Sequence, residues 1–591
     1  MNEDRQWIFD LENHGIDGAI KLRQLLLNST NILRTIADFQ ERNSVKKDNL
    51  EPAMKLLDIL GVRRAEFHEL AIADATEKIL AKLKSLGSQN TKESILKLEK
   101  QLEKSFKLYR VPKMRPIILE TLRQLPKVPD RYLKIIVADK EFYECCAMSV
   151  RQQIWLKNDL FYLEAVAPVI DRYIIDKNKT FYAIDQTSTN FFTSETTKSR
   201  RQWQSVQDLV AMVGDREYLY TRLIAILRDA FIKTKDFNFC SLRMEIVMAV
   251  HDNKVSVDKI GKISLYPCHD LAWCLDACVR DRHLDAQLTN KLKNILDSAK
   301  QKSAEVVGDL AMIAADVHVV HFLASMAVKI LKDIAVQGIH LPREVQSLQL
   351  ITRLLSFGSS AHTILNKKEF NSIHAVDSVI FTKFFAPMTS LIVEDVIRNE
   401  LSRATDEFLD DHPLSSFCSM PSETIISFLK TDLTCALIWM YYAMEMLPKK
   451  RRPIDISGLN RYLQIFPKLK DKLAYRDPWA HLFVHRLLQI IPYANVLQSE
   501  LIYNSIITDY LMNELEVNSA IKYHILRIIN SAAVRIGETR ILSLLEKISP
   551  EQLFEPGMVE DEDMKRYKTE YNRVHSKYYE KPNDTATSVN S

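Results

Sequence analysis

The stretch EYLYTRLIAILRDAFIK, residues 217–233, sets Leu219, Leu223, Ile226, Leu227, Ala230 and Phe231 at offsets 0, 4, 7, 8, 11 and 12. A helix gathers those positions onto one stripe, whereas a strand would scatter them over two faces. The pattern returns in Leu242, Ile246, Ala249 and Val250, and again in Ile521, His524, Ile525, Ile528, Ile529 and Ala532. No alternating run of comparable length accompanies it. The periodicity predicts an all-α protein.

Composition points the same way. The chain holds 12 glycines in 591 residues, far below the average share of about 7%. Hairpin turns and phosphate-cradling loops draw on glycine for positive φ, so a β-rich or nucleotide-binding α/β fold is disfavoured. Short proline-bearing breaks separate the helices: VPKMRP (111–116), LPKVPD (125–130), HLPRE (340–344), PKKRRP (448–453) and YRDPW (475–479). Short links make antiparallel neighbours. The expected architecture is stacked antiparallel helix pairs, as a HEAT-like α-solenoid or a multi-bundle. No strict repeat period is present.

Four regions are expected: an N-terminal helical region over 1–165, a central one over 166–360, a C-terminal one over 361–556, and a charged, partly disordered tail over 557–591. The tail carries too little apolar surface to offset its ordering entropy. Residues 185–202, DQTSTNFFTSETTKSRRQ, read as an exposed Ser/Thr-rich loop ending in a basic cluster.

The 80 Lys and Arg nearly balance 76 Asp and Glu, a net charge of +4. Any attraction to nucleic acid must then come from local patches. The acidic start MNEDRQWIFD lacks a secretion pattern. The most apolar run, TCALIWMYYAMEML (434–447), holds Glu445 and falls short of the ~18 apolar residues a bilayer span requires, so no membrane segment is expected. Eight unevenly spaced cysteines read as reduced intracellular thiols.

YPCHDLAWCLDACVRDR, residues 266–282, is the densest chemical stretch, with Cys268, Cys274 and Cys278 beside His269 and His283. Structural zinc favours paired Cys-x₂₋₄-Cys ligands from two separate places. On a helix, however, Leu271, Cys274, Leu275, Cys278 and Val279 form one apolar stripe, with Asp276, Arg280 and Asp281 on the other side. Cys274 and Cys278 are therefore expected in the core, as small hydrophobes. Cys268, near a helix start and beside His269, is the remaining candidate for an activated thiol. In HLFVHR, His481 and His485 lack the glutamate that a zinc-protease helix needs after its first histidine. His318 and His321 fare no better, and no phosphate-binding glycine motif occurs. The residues predict no catalytic centre, no cofactor and no metal.

Two basic clusters remain. Lys449, Lys450, Arg451 and Arg452, between two prolines, have the density that nuclear import receptors read. Lys198, Arg200 and Arg201 precede Trp203 and are the candidate nucleic-acid contact. Trp203 itself leads the stripe Val206, Leu209, Val210 and Val213, which favours the core.

Several strings together resemble one family, negative elongation factor B, also called the cofactor of a breast-cancer protein. They are LEKSFKL (102–108), LPKVPDRYLKIIVADKEFYECCAMSVRQQIW (125–155), RRQWQSVQDLVAMVG (200–214), SLRMEIVMAVHD (241–252), PCHDLAWCLDACVRDR (267–282), VVGDLAMIAADV (306–317) and LPREVQSLQLITRLLSFG (341–358). They follow the family's order over roughly residues 60–360; beyond that, only helical pattern and scattered positions are similar. The resemblance implies a nuclear, non-enzymatic, all-helical member of the negative elongation factor complex, one that bridges its A–C/D pair to its RNA-binding E component. It also implies a part in holding RNA polymerase II in promoter-proximal pausing, with basic surface offered to nascent RNA. The alternative is a helical-repeat adaptor in transport or signalling; a cysteine- or zinc-dependent enzyme is the third reading.

Overall fold

The computed structural model describes residues 64–182, 197–253, 265–299, 301–337, 341–367, 378–404, 421–445, 500–515, 521–554 and 562–579, with isolated positions at 28, 34, 35 and 38. Among these residues every regular element is helical, and the chain divides into two compact units, 1–159 and 160–591.

The first unit contains α1 (Arg64–Gln89), α2 (Lys92–Ser105), α3 (Arg115–Gln124), α4 (Asp130–Ala138), α5 (Lys140–Cys145) and α6 (Met148–Trp155). Local chemistry sets several of the starts. Thr91 and Ser94 exchange side-chain bonds with each other's backbone N–H at 3.2 and 3.0 Å, a reciprocal cap on α2. Asp139 accepts from the Phe142 N–H at 3.1 Å to start α5. The predicted break at LPKVPD separates α3 from α4. Leu98, Leu102, Phe106, Ile118, Leu122, Ile136 and Phe142 fill the core of this unit.

The second unit begins with α7 (Asp159–Tyr182), α8 (Thr197–Arg201), α9 (Gln204–Val213), α10 (Glu217–Thr234), α11 (Asn238–Asp252), α12 (Leu265–Asp281) and α13 (Ala286–Ala299). It continues through α14 (Ala304–Ala314), α15 (Val317–Gln337), α16 (Gln346–Ser359) and α17 (Ala361–Lys367). A turn at Ser378–Ile380 and a π-helical segment at Phe381–Phe385 lead into α18 (Ala386–Ala404), followed by α19 (Glu423–Thr431) and α20 (Leu433–Glu445). After a π-helical run at Leu501–Met512 come α21 (Ile521–Ile536), α22 (Glu538–Lys547), α23 (Pro550–Leu553) and α24 (Glu562–Tyr579). Helices close in sequence pack in pairs, α9 on α11, α11 on α12, α12 on α14 and α15 on α16.

The centre of this unit is unusually apolar. Residues 238–250 of α11 and 306–314 of α14 are buried on every side, as a helix inside a large core must be. Close approach is built in at Gly358, where a Cβ would stand 2.8 Å from the Ala314 carbonyl oxygen. The 217–233 stripe behaves as read, with Leu219, Leu223, Leu227 and Phe231 buried. No single helix among the described residues is long and apolar enough to cross a membrane.

Two expectations are refined. Within the tail expected to be partly disordered, residues 562–579 form α24. Met564, Tyr567, Tyr571 and Val574 are buried on its inner face, and the hydroxyls of Tyr567 and Tyr571 donate to the Ile548 and Leu545 carbonyls at 2.7 and 3.1 Å. Four well-spaced side chains suffice although mean hydropathy is low. The basic end of residues 185–202, expected in an exposed loop, is instead the short helix α8.

Candidate functional site: a buried ionic centre

α8 turns its two arginines inward. Arg200 stands 3.6 Å from both Glu245 on α11 and Asp316 ahead of α15. Lys177 of α7 approaches the same Glu245 oxygen at 3.4 Å. All four side chains are buried. Asp316 also accepts from the backbone N–H groups of His318 and Val319 at 3.2 and 3.1 Å, which caps α15. The Lys177 ammonium lies 5.0 Å from the Trp203 ring centroid, a cation–π contact strengthened by burial.

Arg201 makes a second bridge. Its guanidinium donates to Asp252 on α11 at 2.9 Å and to Asp276 on α12. Its carbonyl accepts from Gln207, whose side-chain oxygen accepts in turn from Asn253. Asp276, expected on the solvent side of its helix, is only 3% exposed. The carboxylate is drawn inward because Arg201 meets it there.

Nearby, Arg228 of α10 forms a forked pair with Asp309 of α14, both bonds at 3.1 Å, and the fully buried Arg243 donates to the Tyr220 hydroxyl at 2.8 Å. Charges removed from water cost several kcal/mol each unless they meet partners, so these pairs choose which helices can sit side by side. Burial drives the pKa of Glu245 upward, with Lys177 and Arg200 pulling against it. Burial also holds His318 well below its ordinary value, and the neighbouring Arg200 and Lys177 charges push the same way. It remains neutral.

Of the candidate nucleic-acid contacts, Lys198 is exposed, while Arg200 and Arg201 are engaged inside the fold. The expectation of an accessible cationic trio is corrected accordingly. Lys449, Lys450, Arg451, Arg452, His481 and His485 lie outside the described residues.

Cys268 and His269 do not form a reactive pair. Cys268 is fully buried, and burial pushes its thiol up to about 12; at neutral pH it carries its proton. The His269 ring instead meets His251, Nε2 to Nδ1 at 2.9 Å. Cys274 and Cys278 are buried in the predicted stripe. Among the described residues no group of three or more His, Cys, Asp or Glu side chains is arranged to hold a metal ion.

Sequence periodicity missed Lys177, Arg228, Glu245, Asp309 and Asp316. A lone charge inside an otherwise apolar run, as in VVGDLAMIA or MEIVMAV, is the signal that marks such positions.

The chain matches the family described as Cofactor of BRCA1 (COBRA1) over residues 112–466. It is 31% identical over 542 residues to negative elongation factor B of Drosophila melanogaster, covering 91% of this chain and 89% of that protein. Its identity to the proteins of the same name from Mus musculus and Homo sapiens is 29% over 544 residues, covering 90% of each. Similarity therefore continues past residue 360, through regions whose sequence shows little beyond helical pattern.

Proposed function

This chain belongs to the negative elongation factor B (COBRA1) family, and from that premise we propose that it is a non-enzymatic scaffold within a negative elongation factor complex. It bridges the A–C/D components to the RNA-binding E component and helps hold RNA polymerase II in promoter-proximal pausing, in the nucleus. The observation that carries this reading is the extent of the match. It spans 91% of the chain and 89% of the Drosophila protein, and so concerns the whole helical body.

The chemistry of such a role is one of surfaces. Half-exposed apolar side chains such as Ile175 on α7, Trp273 on α12 and Ile397 on α18 are of the kind that partner helices cover. Permanent complexes bury large apolar interfaces. An RNA contribution, if made through α8, falls to Lys198, with a salt-sensitive affinity. The cluster Lys449, Lys450, Arg451 and Arg452 directs import.

Affinity purification of the tagged full chain from nuclear extract tests the reading. Recovery of a protein with an RNA-recognition domain, together with the A and C/D components, is expected. Recovery of none of them would favour an adaptor in another process.

A further inference from the structure

His251, in the last turn of α11, and His269, near the start of α12, face each other across the helix pair. Nδ1 of His251 is 2.9 Å from Nε2 of His269, and the ring centroids are 4.9 Å apart. On the far side of His269, Nδ1 lies 3.6 Å from a carboxylate oxygen of Asp270. His251 is exposed, and 17% of the His269 side chain reaches solvent. The pair is open to a small ion.

We propose that His251 and His269 form a two-imidazole site for a divalent transition metal of the copper(II) or nickel(II) class, clipping α11 to α12. The spacing is that of the hydrogen bond the two rings share. A turn of each ring brings both nitrogens within about 2.0–2.1 Å of one ion, at the cis angle of about 90° that tetragonal ions hold. Copper(II) also heads the affinity order for nitrogen ligands.

One ring of the pair donates to the other, and which one does so depends on the tautomers. With the His269 proton on Nδ1, His251 is the donor. Ligation requires that proton to move to Nε2 of His251, a tautomer shift that changes no net charge. Among the described residues no third protein ligand completes the set, so water fills the other equatorial positions.

The same two helices are already joined through Arg201, Asp252 and Asp276. A metal bound only by the folded chain adds stability by mass action, so loading should raise the melting temperature.

The test uses the full chain titrated with copper(II), read by electron paramagnetic resonance and by thermal melting. The expected signal is tetragonal with two nitrogen ligands, accompanied by a rise in Tm. His251→Asn and His269→Asn should each remove the two-nitrogen signal and the rise. His283→Asn, an exposed histidine outside the pair, should change neither. Melting of the metal-free variants near the parent temperature confirms folding. A two-nitrogen signal unchanged in both variants, or no copper-dependent rise in the parent chain, overturns the proposal.

Discussion

Arg201 and Asp276, 75 residues apart, meet as a hydrogen-bonded ion pair inside the second unit, and Asp252 shares the same guanidinium from α11. Removing one partner leaves the other with only its outer contact, Asp252 for Arg201 and Arg280 for Asp276, so the cost falls below the ~3–5 kcal/mol of a fully stranded buried charge. Asp276→Ala and Arg201→Ala are expected to lower the melting temperature of the full chain markedly, whereas Lys198→Ala on the exposed side of α8 should leave it nearly unchanged. A double variant less damaged than the two single losses added together would locate the cost in the stranded charge.

Gly358→Ala should destabilise by about 1–3 kcal/mol, because the new methyl group meets backbone that cannot yield. Its Cβ would lie 2.8 Å from the Ala314 oxygen and 2.9 Å from the Ala314 carbonyl carbon. At Gly87 the obstruction is the side chain of Gln124, whose amide end can rotate away but whose Cβ would stay 2.9 Å from the new methyl group. Gly87→Ala should therefore also destabilise, though less than Gly358→Ala, where every obstructing atom is backbone. Chemical denaturation of the two variants side by side measures the difference.

Acid sensitivity should arise in part from α15. Burial lowers the pKa of His321 to about 4, and His318 is lowered as well. An unfolded histidine titrates near 6.5, so between those values the unfolded chain binds more protons than the folded one. Stability then falls as pH drops below about 6.5, by at most about 1.4 kcal/mol per pH unit for each histidine. Above that pH these two groups contribute no pH dependence. His321→Asn, which keeps a polar group toward Tyr441, is expected to flatten the melting-temperature profile between pH 6.5 and 4 relative to the parent chain.

Thiol labelling should separate the cysteines. Of the seven described, Cys145 is exposed and the others are buried, with Cys146, Cys268 and Cys278 each pushed up to about 12 by burial. Iodoacetamide at neutral pH should modify Cys145 in the native chain and leave Cys268 unmodified until denaturant is added. Peptide mass spectrometry follows both sites, and rapid native labelling of Cys268 would contradict its burial.

Helical class was legible because the stripe of Leu219, Leu223, Leu227 and Phe231 depends only on the 3.6-residue period and on burial. Core placement of Cys274 and Cys278 followed from the same arithmetic. Asp276 was misplaced by it, since a helical wheel assigns charges to solvent and knows nothing of Arg201 arriving from another helix. Arg200 and Arg201 illustrate the same limit. Their adjacency resembles a basic surface patch, and only the tertiary fold supplies Glu245, Asp316, Asp252 and Asp276 as internal partners. In α24, Tyr567 and Tyr571 anchor a segment whose average composition is polar, because two hydroxyls that each reach a carbonyl outweigh an average.

Lys177 and Arg200 converge on Glu245 although 22 positions of chain lie between them. α7 and α8 are thus tied to a single carboxylate of α11, so three helices share one charge. In homologous chains the lysine, arginine and glutamate should accordingly be kept or exchanged together, because changing one of them strands the others.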